Sequence, residues 1–186
     1  MTGAHDTRRD ELVGMAIAVL ERDGLERFSI GEIAREAGIK PPSLYKQFRN
    51  KADIEAAMIE LGFRTQAKVN RKAVAALGKA ASKGQIAETL VRAYRDFGMQ
   101  HPQLYRLMND RPLPATFPPE AMDAISVDYR KLFTEPLLAT GFWAWAHGLL
   151  TLELANRYES QSDVEGLWKI MVDRLVAEVE RVESAE

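Results

Sequence analysis

Cysteine is absent from the 186 residues, which excludes disulfide scaffolds, thiolate zinc sites and cysteine nucleophiles. An excess of one charge sign is missing as well: 25 Lys and Arg against 27 Asp and Glu leave a formal net charge of −2. A whole-chain basic field is excluded, and with it a general architectural DNA binder; any nucleic-acid contact must come from a local patch. Long hydrophobic runs are also lacking. The longest charge-free stretch, 136–152, is interrupted by Thr140, Gly141, His147 and Gly148 and falls short of the roughly 20 apolar residues that span a bilayer. It reads as a buried helix, and no membrane partner is expected. Residues 1–9 are polar, without the apolar stretch of a secretory signal, so a cytoplasmic location is expected. The histidines are few and scattered. His5, His101 and His147 have no second His or carboxylate at ligand spacing, so neither metal nor cofactor is expected. There is no Gly-rich phosphate loop, nucleophile elbow or HExxH, and the chain is not expected to be an enzyme. Sustained period-two alternation between hairpin turns is missing, as is any repeat at solenoid spacing.

Helical spacing is what fills the chain. Apolar residues make up 46% and charged residues 28%, ordinary for a globular protein with a core. Leu12, Ala16, Val19 and Leu20 form one stripe that stops at Asp23-Gly24. Ser29 and Glu32 make a capping box, with Phe28 and Ile33 at the staple positions. That second helix can run only to Ala37, because Gly38 ends it. A third begins at Pro41-Pro42, since proline is tolerated in a first turn. A long fourth helix is predicted from Lys51 to about Lys79, and further helices over 85–100, 102–109, 120–135, 137–158 and 163–183. The stretch 111–119, with four of the eight prolines, is the clearest loop. The expected fold is all-α with about nine helices.

Residues 29–48 carry the functional signal. Two short helices are joined by a tight glycine turn, with Ala34 where they approach and Ile33, Ala37, Ile39, Leu44 and Phe48 available as a mini-core. That is the recipe of a helix-turn-helix, whose second helix enters the DNA major groove. Charge agrees. Arg35, Lys40, Lys46, Arg49 and Lys51 face a single acid, Glu36, a local excess of four positive charges suited to phosphate neutralisation. The basic run 64–83 reads instead as a solvated helix face.

On Gly38-Ile39, the segment Leu44-Tyr45-Lys46-Gln47-Phe48 and Lys51, the first quarter of the chain resembles the TetR family of bacterial transcriptional regulators. Phe142-Trp143-Ala144-Trp145-Ala146-His147-Gly148 is similar to the Trp-His-Gly (WHG) signature of one C-terminal subgroup. The resemblance implies a two-domain all-helical subunit, a homodimer on double-stranded operator DNA, and repression relieved by a small molecule. It divides the chain into a DNA-binding domain at 1–50 and a ligand-binding and dimerisation domain at 51–186. It also implies base contacts for Pro42, Ser43 and Tyr45, and positions near phosphate for Tyr45, Lys46, Gln47 and Lys51. Ser29 corresponds to a capping hydroxyl that often binds phosphate. Lys40 stands where many members carry a Ser or Thr cap, and its positive charge opposes the helix dipole unless a phosphate or guanine is near.

For the body of the chain, Tyr94, Phe97, Tyr105, Met108, Phe117, Phe142, Trp143 and His147 are the expected walls of a ligand pocket, with His147 or Tyr105 as hydrogen-bonding groups. Of these, Tyr94, Phe142 and Trp143, with Trp145, read first of all as core or dimer residues, and His147 as a satisfied interior or interface histidine. Aromatic and Met linings favour an apolar, neutral effector. Val164, Trp168, Met171, Leu175 and Val179 recur at helical spacing on the last helix and are expected to form a dimer interface with helix 137–158, or else to pack within their own subunit. Control by a protein partner rather than a small ligand is the alternative.

Overall fold

A computed structural model describes residues 3–118, 120–130, 132–133, 135–159 and 161–183. Among them the chain is all-α, with nine helices: α1 (Gly3–Asp23), α2 (Ile30–Glu36), α3 (Pro41–Leu44), α4 (Lys51–Ala76), α5 (Lys83–Gln100), α6 (Pro102–Asn109), α7 (Glu120–Arg130), α8 (Pro136–Leu154) and α9 (Gln161–Glu183). Three helices differ from their expected ends. α4 stops at Ala76 because Gly78 takes a positive φ of 82°, which glycine alone adopts without penalty. α7 ends at Arg130, short of the expected 135. α8 ends at Leu154, where Asn156 turns the backbone to φ 52°. Pro119, Lys131 and Thr134, which fall within the expected loop and helix, lie outside the described residues.

The chain forms two compact units, 1–64 with 101–122, and 65–100 with 123–186. The division does not follow the expected sequence boundary at 50, because α6 returns to the first unit and α4 runs through both. In the first unit, Leu12, Val13, Ala16, Val19 and Leu20 of α1 are buried together with Ile33, Leu44, Phe48, Ile54, Met58, Leu104 and Met108. α6 is fixed to α1 by a side chain. Glu21 accepts hydrogen bonds from the backbone N–H groups of Gln103 (3.1 Å) and Leu104 (2.8 Å), satisfying the free donors at the start of α6. Gly62 of α4 lies against α6 so closely that a Cβ would stand 2.6 Å from the Met108 sulfur.

The second unit is built on α5, α8 and α9. Gly84 lets α5 meet α9; a Cβ there would stand 2.9 Å from Val176 Cγ1 and 2.7 Å from Glu180 Oε1. Arg95 of α5 joins the other two helices. It donates to Glu153 of α8 at 2.6 and 3.0 Å and to Glu165 of α9 at 2.6 and 3.0 Å. Trp168 completes the knot, donating its indole N–H to Glu153 at 2.8 Å while its ring lies under the Arg95 guanidinium.

Candidate nucleic-acid interface

The helix-turn-helix is fixed from its ends inward. Ser29 adopts an extended backbone and its hydroxyl accepts the Glu32 N–H at 3.3 Å. The other half of the expected capping box is spent differently: Glu32 directs its carboxylate to Arg35. At the far end of α2 the Ile39 N–H reaches the Ala34 carbonyl at 2.9 Å and the Gly38 N–H reaches that of Arg35 at 3.1 Å, with Gly38 at φ 62°. This is the Schellman pattern, which needs a left-handed residue at the position Gly38 holds. α3 follows with Pro41 and Pro42 in its first two positions and no side-chain cap from Lys40. Its regular part ends at Leu44, and turns carry the chain to Phe48, whose N–H bonds the Leu44 carbonyl at 3.0 Å.

Leu44 and Phe48 are buried, and Tyr45 is 54% exposed. This sorting follows from the turn. The two apolar side chains turn inward, and Pro42, Tyr45 and Lys46 face solvent. Lys40, Pro42 and Lys46 are exposed, whereas Ser43 and Gln47 are half-buried. Lys40 and Lys46 make no ion pair with the described residues. Ser29 is exposed; its hydroxyl oxygen accepts the cap bond, which leaves its O–H as a donor. Lys51 is exposed and its ammonium donates to the Phe28 carbonyl at 3.0 Å. Three contributors escaped the sequence reading. Asn50 caps α4 by accepting the Asp53 N–H at 2.9 Å, and Asp53 reaches back to the Arg49 N–H at 3.0 Å; an Asn three residues before an Asp was the available signal. Arg9 lies over the Phe48 ring, 4.9 Å from its centre, a cation–π contact that bare spacing does not reveal. Glu21, which anchors α6, had no local signal at all.

Residues 12–58 match the family described as bacterial regulatory proteins, tetR family, and residues 87–175 match the tetracyclin repressor-like C-terminal domain. The chain belongs to the TetR family of transcriptional regulators. An HTH-type transcriptional regulator of Mycobacterium tuberculosis is 25% identical over 93% of this chain and 82% of its own. The HTH-type transcriptional regulator BetI of Proteus mirabilis is 28% identical over 81% and 84%. A TetR variant of Acinetobacter baumannii, solved in complex with minocycline, superposes with a TM-score of 0.68 at 16% identity, covering 93% of this chain and 97% of that one. The TetR relationship makes this protein a DNA-binding regulator and not an enzyme.

The residues expected to line an effector pocket are divided between the units. Tyr105, Met108 and Phe117 are buried in the first, where Phe117 meets Phe63 edge-on at 5.8 Å. Tyr94 and Phe97 are buried in the second. Phe142 and His147 are half-buried, and Trp143 is 51% exposed, stacked on His147 at 5.5 Å. Trp143 is therefore a surface aromatic of α8 rather than an interior wall. Among the arginines, Arg95 is half-buried and already held by two carboxylates.

The dimer stripe needs correction. Val164, Trp168, Met171, Leu175 and Val179 are all buried within the subunit. Periodicity shows that a helix has an apolar face but not what that face meets; here it meets its own unit. What α8 and α9 leave outside is another set: Leu137, Trp143, Trp145 and Leu152 on α8 and Ile170 on α9. Gly141, Gly148 and Gly166 have open space where a Cβ would be.

Proposed function

We propose that this TetR family protein is a dimeric, cytoplasmic repressor that occupies a palindromic operator and leaves it when a small molecule binds. Pro42, Ser43 and Tyr45 read bases, and Lys40, Lys46, Gln47, Lys51 and Ser29 meet phosphates. The outer face of α8, together with Ile170 of α9, pairs with the same face of a second subunit. Apolar side chains around small, uncovered glycines suit close helix packing in an isologous contact.

One observation above all supports control by a ligand. α6 carries two of the expected effector residues, Tyr105 and Met108, and it is bonded to α1 through Glu21. A molecule that shifts α6 also shifts the scaffold of the reading head. Such coupling requires that the effector bind the non-DNA arrangement more tightly. The minocycline complex of the Acinetobacter relative lends weight to a small-molecule effector. The Trp145, His147 and Gly148 positions fit the WHG subgroup.

Selection of genomic DNA by the purified protein tests the reading. The expected product is an inverted repeat with half-sites about one DNA turn apart, or a multiple of it, bound by an even number of subunits. Selected fragments without a repeat, bound by single subunits, would overturn it.

A further inference from the structure

The second unit contains buried polar groups that its helical core leaves incomplete. Gln66 and Asn70 stand one turn apart on α4 and are 3% and 0% exposed. Gln66 Nε2 and Asn70 Oδ1 are shielded from solvent without a hydrogen-bond partner, and so is Thr151 Oγ1 on α8. Asn70 Nδ2 reaches the Tyr129 hydroxyl only at 3.5 Å, and that hydroxyl donates to the Leu90 carbonyl at 3.4 Å. Both contacts lie at the long limit of a hydrogen bond. Neighbouring Ala67 is fully buried, so apolar side chains at 66 and 70 would have completed an apolar face at lower desolvation cost.

The cluster has a direction and a charge preference. Leu90, whose carbonyl takes the Tyr129 hydroxyl, lies one and two turns before buried Tyr94 and Phe97 on α5, so the helix that the cluster touches also carries buried aromatic side chains. Burial pushes the Tyr129 hydroxyl well above the ordinary phenol range, and the Asp128 charge adds to the push. The hydroxyl therefore remains a neutral donor. Lys68, Arg71 and Lys72 of α4 are exposed, and Arg95 is committed to Glu153 and Glu165. An anion would find the Asp128 charge nearby, and none of these four cations is placed to meet it.

We propose that Gln66, Asn70 and Tyr129 form the polar end of the effector site, and that they select a neutral molecule bearing both a hydrogen-bond donor and an acceptor on an apolar body, such as a primary amide or an alcohol. This rests on the effector-controlled reading given above. A side-chain amide offers one donor edge and one acceptor edge whichever way it is turned, so the ligand must supply both.

The test uses the full chain, thermal unfolding and release of the selected operator. The probes are 2-naphthamide, 2-naphthol, naphthalene and 2-naphthoate, with decanamide and decanoate as aliphatic counterparts. Amides and the alcohol are expected to raise Tm, and the carboxylates to leave it unchanged. Asn70→Leu and Gln66→Leu should keep or exceed the wild-type Tm without ligand and bind operator normally. Each should lose about tenfold in affinity for 2-naphthamide, the worth of one hydrogen bond, with naphthalene unaffected. A fall of several degrees in the ligand-free Tm of either variant would overturn the proposal, since the amides would then be structural, completed by internal water. Equal amide binding by wild type and variants, or no binding of amides and alcohol at all, would also overturn it. Release by naphthalene or the carboxylates alone would remove this polar end while leaving effector control standing. Amide binding that never releases operator would do the reverse.

Discussion

The ammonium of Lys51 donates to the carbonyl of Phe28 at 3.0 Å across 23 positions of sequence. The first residue of α4 is thereby fastened to the residue just before the cap of α2. Glu55 stands 3.8 Å from the same ammonium, and the Phe28 ring lies beneath it. Lys51 thus has an internal role beside the phosphate contact proposed for it. An ammonium has three N–H groups, so the bond to Phe28 does not exclude the proposed phosphate contact.

Lys51→Ala should accordingly act twice. It should weaken binding about equally across DNA sequences and reduce the salt slope of log K by about one. It should also lower stability by about 1 kcal/mol through the lost bond to Phe28. Fluorescence anisotropy over a salt series and urea denaturation measure the two separately. An unchanged salt slope would mean that the phosphate contact does not exist.

Tyr45→Ala and Ser43→Ala should change which operator bases are preferred, by about 1–3 kcal/mol at the affected position. Tyr45 is exposed, so its removal should leave Tm nearly unchanged. Binding to a library of single-base operator variants measures the effect. Unaltered preference in both variants would displace the reading positions from α3.

Ile170→Arg and Trp145→Asp change exposed residues on the proposed pairing face. Sedimentation at micromolar concentration should show folded monomers with weakened operator binding. Leu175→Asp, by contrast, buries an unpaired charge inside the subunit and should unfold it. A folded, monomeric Leu175→Asp protein would restore the last helix's apolar stripe as the interface.

Arg95→Leu removes the partner of Glu153, a carboxylate whose side chain is only 7% exposed. Leaving that charge buried should cost about 3–5 kcal/mol, and Glu153→Leu in the same chain should recover most of it. Chemical denaturation of the two single variants and the double variant measures the coupling. The Arg95 contact also holds the Glu165 carboxyl below its ordinary pKa. That contribution is present above the ordinary carboxylate pKa and is lost as pH falls through the lowered value. With Glu165 largely exposed, it should be a small part of acid unfolding.

The sequence made the helices and the reading motif legible because both are local. Gly38, the Ser29 cap and the Leu44–Phe48 pair each act within a turn or two. The ends of α7 and α8 were less legible, since nothing as strong as glycine or proline marks Arg130 or Leu154. The orientation of α9 was not legible: its apolar stripe is the same whether it meets its own unit or a second chain. Gln66 and Asn70 looked like ordinary polar residues of a basic, solvated helix; only their burial, and the approach of Asn70 to Tyr129, set them apart. Glu21 and Arg95 act between elements far apart in sequence, where no spacing rule reaches.

Proline carries no amide hydrogen, and Pro41 and Pro42 open α3. The usual way a helix start captures an anion, through its first free amides, is therefore closed at those two positions. The neighbouring Lys40 is exposed and makes no cap bond, so the positive charge at this helix start belongs to a side chain rather than to backbone amides. The two rings also lock their φ torsions before any DNA arrives. If α3 is the reading helix proposed above, its first turn has less conformational freedom to lose on meeting DNA. Little ordering remains for the encounter, so correct and incorrect sites should be reached at similar speed and told apart by how long the complex survives.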